Sequence, residues 1–475
     1  MKRKNNNSKW LALVIVLTAP MLYVIDIFII NMAIPAIKKG VNATDAEIQL
    51  VIAGYLLGSA AFLIIGGRAG DYLGRKKVFF WGMLCFTLTS CLCGLSETAL
   101  QLNITRFFQG LSSSIMVPQS IAFIQVLFTD PKERAKAIGW YGVTLSIAAI
   151  IGQILGGYLV DTHFGIEGWR LIFLINLPVG MVSLWAIWKF LKETEKENGP
   201  GFDYSGALVL TVGLMCLIYP LTEGREEGWP IWSLLMMLIA VLVLAYFVAD
   251  QKRKLLHDKA PLIDVSLFKL KEFNIGLLTV LFHFMMHTAF LLMTAVYLQN
   301  GLGLSALDCG LYFVLHALLF MGSAVLASRL IVKFGKLVLQ TGVAIIMASF
   351  ILQLLVFKQN VSGINVILLI GLYGLGNGMV LPSLLTITLA SIPPKFTGVA
   401  AGIFSTFQQT ASALGISILG GVFYAVIKLG GPAPDYLKAF VYGISANICC
   451  LCIVLLMLWL IPKPKNSLVA LPEII

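Results

Sequence analysis

Apolar stretches, each about as long as a bilayer's hydrocarbon core is thick, recur from one end of this chain to the other. A helix rises about 1.5 Å per residue, so about 20 residues cross about 30 Å of hydrocarbon. Read against their polar interruptions, the stretches predict helices over 10–35, 48–68, 77–96, 101–128, 136–160, 168–190, 204–222, 230–249, 273–298, 307–331, 337–357, 363–391, 397–427 and 437–461. Fourteen crossings fill most of the 475 residues. Composition agrees, at 59% hydrophobic and 12% charged, about half the charged share of an average soluble protein. That much charge does not coat a water-facing surface of this size, which excludes a soluble enzyme, a nucleic-acid binder and a disordered chain. The expected fold class is all-α integral membrane, with 14 transmembrane helices.

An even number of crossings puts both ends on one side of the membrane. Cytoplasmic loops are enriched in Lys and Arg. With the N-terminus inside, cytoplasmic segments hold 26 of the 34 such residues, outer segments hold 7, and Arg106 falls within a span. Lys2, Arg3, Lys4 and Lys9, then Arg75 to Lys77, then Lys252 to Lys254, all obey the rule. The expected location is the cell (inner) membrane, multi-pass, with both termini cytoplasmic. The net charge of +11 therefore reads as topology, and no nucleic-acid partner is expected. Seven of the eight cysteines lie inside apolar stretches and read as small buried hydrophobes. The first apolar run, Trp10 to Pro35, is too long for a cleaved signal and contains Asp26.

Two inner loops, 192–202 and 251–272, are longer and more charged than the rest. They divide the chain into an N-terminal six-helix bundle (1–191), an inserted helix pair with flanking cytoplasmic loops (192–272), and a C-terminal six-helix bundle (273–475). Two related bundles with a path between them are how many transporters are built. A weak internal repeat agrees: Gly67-x3-Asp71-x2-Gly74-Arg75-Lys76 follows helix two, and Ser328-x3-Val332-x2-Gly335-Lys336 follows helix ten.

The first of these frames, with Gly67, Asp71, Gly74, Arg75 and Lys76 all in place, resembles the signature loop of the major facilitator superfamily. Two glycines permit a tight turn between spans, and Asp71 suits the positive end of a helix. In that family the loop latches one conformation. Asp26, Asn31 and Pro35 resemble the helix-one pattern of its fourteen-helix drug:proton antiporter branch, the EmrB/QacA-like multidrug exporters. Trp169, Arg170, Phe173, Asn176, Pro178 and Gly180 match that branch's WR-x2-F-x2-N-x-P-x-G stretch. Weaker signatures at Asp203 to Gly206, Glu223 to Trp229 and Pro261 to Phe268 also fall in place. There are departures: Leu50 replaces an aromatic residue, and helix five reads Gly152-Gln153-Ile154-Leu155-Gly156-Gly157 where the branch has G-P-x-x-G-G. Gln153 restores a backbone N–H that Pro lacks, so a smaller kink is expected. Gly152, Gly156 and Gly157 remain to let partner helices approach closely.

Asp26 and Arg106 are the two permanently charged side chains deep in spans, and each is costly alone in hydrocarbon. Asp26 lies roughly 12–14 Å from the outer end of its helix and Arg106 roughly 8 Å, so they are expected to face one cavity, with Asp26 carrying the coupling proton. Asn31, Tyr55, Gln109, His283, His287, His316, Gln408 and Gln409 are the polar candidates for the substrate cavity. His283 and His287 share a helix face. Two histidines without a carboxylate are a weak metal signal, so no metal is expected; packing or cavity lining comes first, proton relay second and metal transport last.

No nucleotide-binding loop and no catalytic frame is present in the sequence, so no enzyme and no cofactor is expected, the energy source being the proton motive force. The resemblance implies a proton-coupled antiporter exporting hydrophobic or cationic small molecules, with one intramembrane acid favouring monovalent or neutral ones. The alternatives are a dedicated exporter of one endogenous metabolite, siderophore, lipid or peptide, and a non-transporting sensor or scaffold. The expected partners are that substrate, protons and the lipid bilayer, acting with a monomer. If the cell has an outer membrane, a periplasmic adaptor and an outer-membrane channel stay open.

Overall fold

A computed structural model of the chain describes residues 2–162, 165–194, 203–224, 227–257, 259, 261–358, 361–390, 392, 397–430 and 434–460, without the side chains of 2–8, Ala61, Ile64, Arg68, Asp71, Pro131, Ala135, Val332 and 397–399. The described residues are all helix and connection. In order these are α1 (Lys2–Gly40), α2 (Asp45–Leu73), α3 (Arg75–Gly94), α4 (Ala99–Leu127), α5 (Pro131–Val160), α6 (Gly168–Leu174), α7 (Asn176–Phe190), α8 (Tyr204–Tyr219), α9 (Ile231–Leu256), α10 (Lys271–Val296), α11 (Ala306–Tyr312), α12 (Val314–Phe334), α13 (Lys336–Val356), α14 (Gly363–Leu389), α15 (Thr397–Leu429) and α16 (Tyr436–Leu460). Helices are what a chain in hydrocarbon must form, because each satisfies its own backbone.

Among the described residues, 13 helical segments are long and apolar enough to cross a membrane. The remaining expected span, 48–68, lies in α2, a helix of 29 residues. Two expected spans are interrupted. The 168–190 span breaks at Ile175 into α6 and α7, because Pro178 has no N–H to offer the carbonyl of Leu174. The 307–331 span breaks at Phe313 into α11 and α12. The chain also leaves the expected 204–222 span through a wide turn, Pro220–Gly224.

Packing repeats along the chain. Helix α2 lies along α4, α1 along α5 and α3 along α4; in the same way α12 lies along α14, α10 along α15 and α13 along α14. The loop repeat has a backbone counterpart, since Gly74 (φ 99°) and Gly335 (φ 53°) occupy the two matching junctions. Both lie in a region that glycine enters without strain. Helices α8 and α9 pair with each other, and α8 also rests on α2. The outer face of α9 leaves Leu234, Leu235, Leu238, Val241 and Leu242 exposed, which suits lipid and not water.

The inserted pair is tied down by one carboxylate. Asp203 caps α8, accepting from the Gly206 N–H (2.7 Å) and the Ser205 hydroxyl (3.0 Å). It also accepts from Gln251 Nε2 (2.8 Å) and Lys254 Nζ (2.7 Å) on α9, and from the Leu262 N–H (3.0 Å). Burial pushes this carboxyl up, but the donors around it, Lys254 first, pull harder and set it at about 2.

The two halves meet at the end of the bundle away from the N-terminus. Gln299 Nε2 donates to the Met32 carbonyl (3.1 Å), and the Leu307 N–H donates to Asp161 Oδ2 (2.9 Å). Deeper in, Thr406 on α15 reaches the Ala60 carbonyl at 3.5 Å, and Gln409 donates to Tyr23 and Ser59.

Candidate functional site

Small residues bring the site's helices together. Thr98 caps α4, accepting from the Gln101 N–H at 3.3 Å, and from that start Arg106, Gln109, Gly110 and Ser113 share a face at helical spacing. A Cβ at Gly110 would run into the Tyr55 carbonyl, and one at Gly58 into that of Phe107. With hydrogen there, α2 and α4 touch backbone to backbone. On the other side, a Cβ at Gly152 would stand 2.9 Å from the Ile25 carbonyl, and one at Gly156 2.8 Å from that of Ile29. The helix-five signature therefore clamps α1 on both sides of Asp26. The adjoining face of α5 meets α11: Gly157 faces Ala306 and Leu307, and Gly310 faces the Gln153 carbonyl.

Asp26 and Arg106 meet in this enclosure, 0% and 1% exposed. Arg106 Nη1 donates to Asp26 Oδ2 at 2.5 Å, and Gln109 Nε2 donates to Asp26 Oδ1 at 2.9 Å. Arg106 also donates to the Val51 carbonyl (3.1 Å) and to Gln109 Oε1 (2.8 Å), which takes a further contact from Cys93 Sγ at 3.4 Å. The guanidinium lies 4.2 Å from the Tyr55 ring centroid and 5.7 Å from that of Phe173, a cation–π arrangement in a dry setting. The expected aqueous cavity is thus, in this conformation, a closed polar cluster. Gln109 and Tyr55, expected to meet substrate, both contact the ion pair in this conformation.

The WR-x2-F-x2-N stretch is explained by the same cluster. Arg170 donates to the carbonyls of Gly94 (3.0 Å) and Ser96 (2.6 Å), completing the C-terminal end of α3. Asn176 donates to the Ser90 hydroxyl (2.9 Å), which donates to the Phe173 carbonyl (2.9 Å). These bonds fix Phe173 over Arg106. On the opposite side Tyr23 stacks on Tyr55 (6.0 Å, 27°), and its hydroxyl accepts from Gln409 of α15. A line of contacts therefore runs from the ion pair to the other half. Asn31 only returns a bond to the Ile27 carbonyl (3.1 Å). Gln408 is half-buried and joins neither polar cluster among the described residues.

A second buried cluster lies in the C-terminal half. His283 Nε2 donates to Asn377 Oδ1 (3.0 Å), while Asn377 Nδ2 (3.3 Å) and the Tyr373 hydroxyl (2.5 Å) both point at His287 Nδ1. Two donors on one nitrogen make His287 Nδ1 an acceptor that carries no proton, while His283 Nδ1 has no hydrogen-bond partner among the described residues. His316 stacks on Tyr373 (5.6 Å, 14°). Among the described residues, no three His, Cys, Asp or Glu side chains are grouped to hold a metal.

In the signature loop, Gly74 leaves α3 without a side-chain cap, and the cap arrives from beyond α7. Glu193 accepts from the N–H groups of Lys76 (3.0 Å) and Lys77 (3.2 Å), and Thr194 accepts from that of Arg75 (3.3 Å). Arg75 Nη1 donates to the Ala122 carbonyl at 3.1 Å, and Lys76 Nζ to that of Trp188 at 2.9 Å. Gly67 faces Pro118. The Asp71 side chain lies outside the described residues, as do residues 225 and 226 of the Glu223–Trp229 signature.

Tyr23, Ser59, Tyr373 and Glu193 were not among the expected site residues. Tyr23 stands three residues from Asp26, and Tyr373 four from Asn377, so helical spacing carried a signal for both pairs. Nothing local marked Glu193, whose partners on α3 are more than a hundred residues away.

Comparison with known proteins agrees with this fold. Residues 16–416 match the family described as Major Facilitator Superfamily. The chain is 33% identical over 423 residues to a "Probable actinorhodin transporter" of Streptomyces coelicolor, covering 88% of this chain and 73% of that one. It is 30% identical over 403 residues to the "Multidrug resistance protein Stp" of Mycobacterium tuberculosis, covering 84% and 73%. Among solved structures, a bacterial homologue of the human lysosomal transporter Spinster, inward-facing and unoccupied, superposes with a TM-score of 0.67 at 15% identity, covering 96% of this chain and 97% of that one.

Proposed function

The chain belongs to the major facilitator superfamily, and from that premise we propose that it is a proton-coupled antiporter exporting hydrophobic or cationic small molecules by alternating access. It is a transporter of the cell membrane and not an enzyme. The Lys and Arg bias supports cytoplasmic termini, which makes the joined end of the halves the outer one and this conformation closed to the outside. The working units on this reading are the two six-helix bundles, with the α8–α9 pair inserted between them.

One observation carries the proton-coupling part: a fully buried carboxylate whose partners are Arg106 and Gln109. A buried ion pair is weak support for stability, since apolar packing serves that end as well; as a switch it has a use. When Asp26 takes a proton, Arg106 keeps only neutral partners, the Val51 carbonyl, Gln109 and the Tyr55 ring. An unpaired buried cation is costly, so the protonated state favours a conformation that wets the pair. The stacked Tyr55 and Tyr23 and the bond from Gln409 give that rearrangement a direct contact with the other half. Substrate entering from the cytoplasmic side then releases the proton.

Names given to relatives support export of drugs or antibiotics, and the actinorhodin transporter favours, as a second reading, a dedicated exporter of one metabolite. The test is uptake of fluorescent hydrophobic dyes, ethidium among them, into inverted vesicles under an imposed pH gradient. Wild type accumulates dye and Asp26→Asn does not. Failure of wild type to move any dye removes the broad-export reading, and undiminished transport by Asp26→Asn removes the coupling role.

A further inference from the structure

The two halves meet along two seams, and the inserted pair lies against one of them. In that seam α2 runs beside α15. A Cβ on Gly420 would stand 3.9 Å from Gln49 Oε1. About 16 Å further in, Thr406 meets the Ala60 carbonyl beside the bond from Gln409 to Ser59 (3.2 Å). Helix α8 and the Pro220–Gly224 turn touch both α2 and α15. At the inner end, Asp203 and Gln251 accept from the N–H groups of Leu262 and Ile263, each at 3.0 Å. That holds the segment leaving α9, whose Phe268 lies on Phe407 of α15 with 6.3 Å between centroids. Cover therefore extends along this seam from the outer turn to the inner end.

The second seam, α5 against α11 and α12, carries neither α8 nor α9 and is joined at its outer end. There Gly310 meets the Gln153 carbonyl, and Gly157 meets Ala306 and Leu307. Gly139 stands about five helical turns before Gly157, on the same face. Among the described residues, a Cβ on Gly139 or Gly142 would meet nothing within 4 Å, and neither would one on Gly322 of α12. About 16–18 Å inward from the Gln153–Gly310 contact, the helices have parted. The walls of the gap are apolar: Ile138, Val143 and Ile147 on α5 and Leu318, Val325 and Leu326 on α12 are exposed. Further along α5, Gly152 faces Ile25, next to Asp26, so the gap leads to the underside of the buried pair.

We propose that the α8–α9 pair seals one seam, and that the gap between the inner halves of α5 and α12 is the entrance for an exported molecule dissolved in the hydrocarbon of the cytoplasmic leaflet. The inference rests on the export reading and names the phase from which substrate is drawn. An apolar passage takes an apolar molecule from hydrocarbon without stripping polar groups of water. The gap is continuous with the outer contact of α5 and α11, so rocking that parts the outer ends closes the inner ends behind the cargo. A water-soluble cation enters instead between the cytoplasmic ends of the bundles.

The experiment compares wild type, Gly142→Phe/Gly322→Phe, which fills the gap, and Leu238→Phe on the lipid face of α9. Uptake into inverted vesicles under an imposed pH gradient is followed for a bisbenzimide Hoechst dye, whose fluorescence falls as it leaves the bilayer for water, and for ethidium. The double variant should lower the initial Hoechst rate about tenfold or more and keep ethidium within about twofold of wild type. Leu238→Phe should change neither. A second readout uses purified full-length protein in nanodiscs and trifluoromethyl-iodophenyl-diazirine, a photolabel that dissolves in hydrocarbon. It should attach within 138–147, within 318–326 and on α9, and the Hoechst dye should displace it from the first two alone. Undiminished Hoechst uptake by the double variant, loss of both dyes in equal measure, label on the contacting faces of α2 and α15, or label at the gap that the dye does not displace overturns the inference. Ethidium pumped by wild type while the Hoechst dye is neither pumped nor displaces the label overturns it and leaves the exporter reading standing. Displacement at the gap with neither dye pumped keeps the entrance and removes the exporter reading.

Discussion

Replacing the Asp26–Arg106 pair one residue at a time, and then together, separates a switch from a structural tie. Asp26→Leu leaves the guanidinium, 1% exposed, with the Val51 carbonyl, Gln109 and the Tyr55 ring. Arg106→Met leaves the carboxylate with one donor, Gln109 Nε2 at 2.9 Å. Breaking a buried pair from either side costs about 3–5 kcal/mol, whereas apolar side chains in both places are often neutral or better. At about 1.4 kcal/mol per decade, each single change shifts the unfolding equilibrium by two to nearly four orders of magnitude. The double variant should return most of that, giving a coupling energy of several kcal/mol in a double-mutant cycle. Unfolding in mixed micelles supplies the stabilities, and pH-gradient-driven uptake into vesicles supplies the function. The expected pattern is two unstable singles, a double variant near wild-type stability, and no driven transport by any of the three. Driven transport by the double variant at the wild-type rate would show that the pair is a structural tie and nothing more.

Three further outcomes follow from the geometry. Gly156→Ala puts a Cβ 2.8 Å from the Ile29 carbonyl and should cost about 1–3 kcal/mol with slowed transport; Gly142→Ala, with nothing within 4 Å, is its neutral control in the same unfolding and uptake assays. Glu193→Ala strips the remote cap from α3 and should lower stability by about 0.5–2 kcal/mol, with Glu193→Gln recovering part of it, read as unfolding midpoints and transport rates; unchanged values for Glu193→Ala would count against the docking of the signature loop. Asp203, set at about 2 against an ordinary 3.8, stabilises the α8–α9 pair fully above the ordinary value, and that contribution is lost as pH falls through about 2. Pepsin cleavage within Pro261–Phe268 should therefore rise across that window in wild type, and Asp203→Asn should already be cleaved above it.

Much of this was readable from residue order because the membrane removes alternatives. Apolar length fixed where helices run, and the loop frame at Gly67 to Lys76 together with Asp26 and Arg106 placed the chain in its family and marked its buried pair. Local chemistry was harder to foresee. Gln109 was grouped with substrate handles because a glutamine inside a span carries no mark of its partner; only the close approach of α4 to α1 and α2 turns it toward Asp26. The break at Ile175 was foreshadowed by Pro178, but a proline near a helix start is equally at home inside a first turn. The cap from Glu193 depends on how the chain leaves α7, which spacing does not encode. In the histidine cluster, i, i+4 spacing joined His283 to His287, whereas His316 and Tyr373 reach them only through the packing of α12 and α14.

If Asp26 holds the proton exchanged for substrate, the purified protein must release that proton as substrate binds. A pH indicator in weakly buffered solution, with an uncharged substrate dye added to protein in nanodiscs, should report release of a proton as wild type binds dye. Asp26→Asn should bind the same dye and release none. Equal release from both proteins would place the exchanged proton elsewhere than on Asp26.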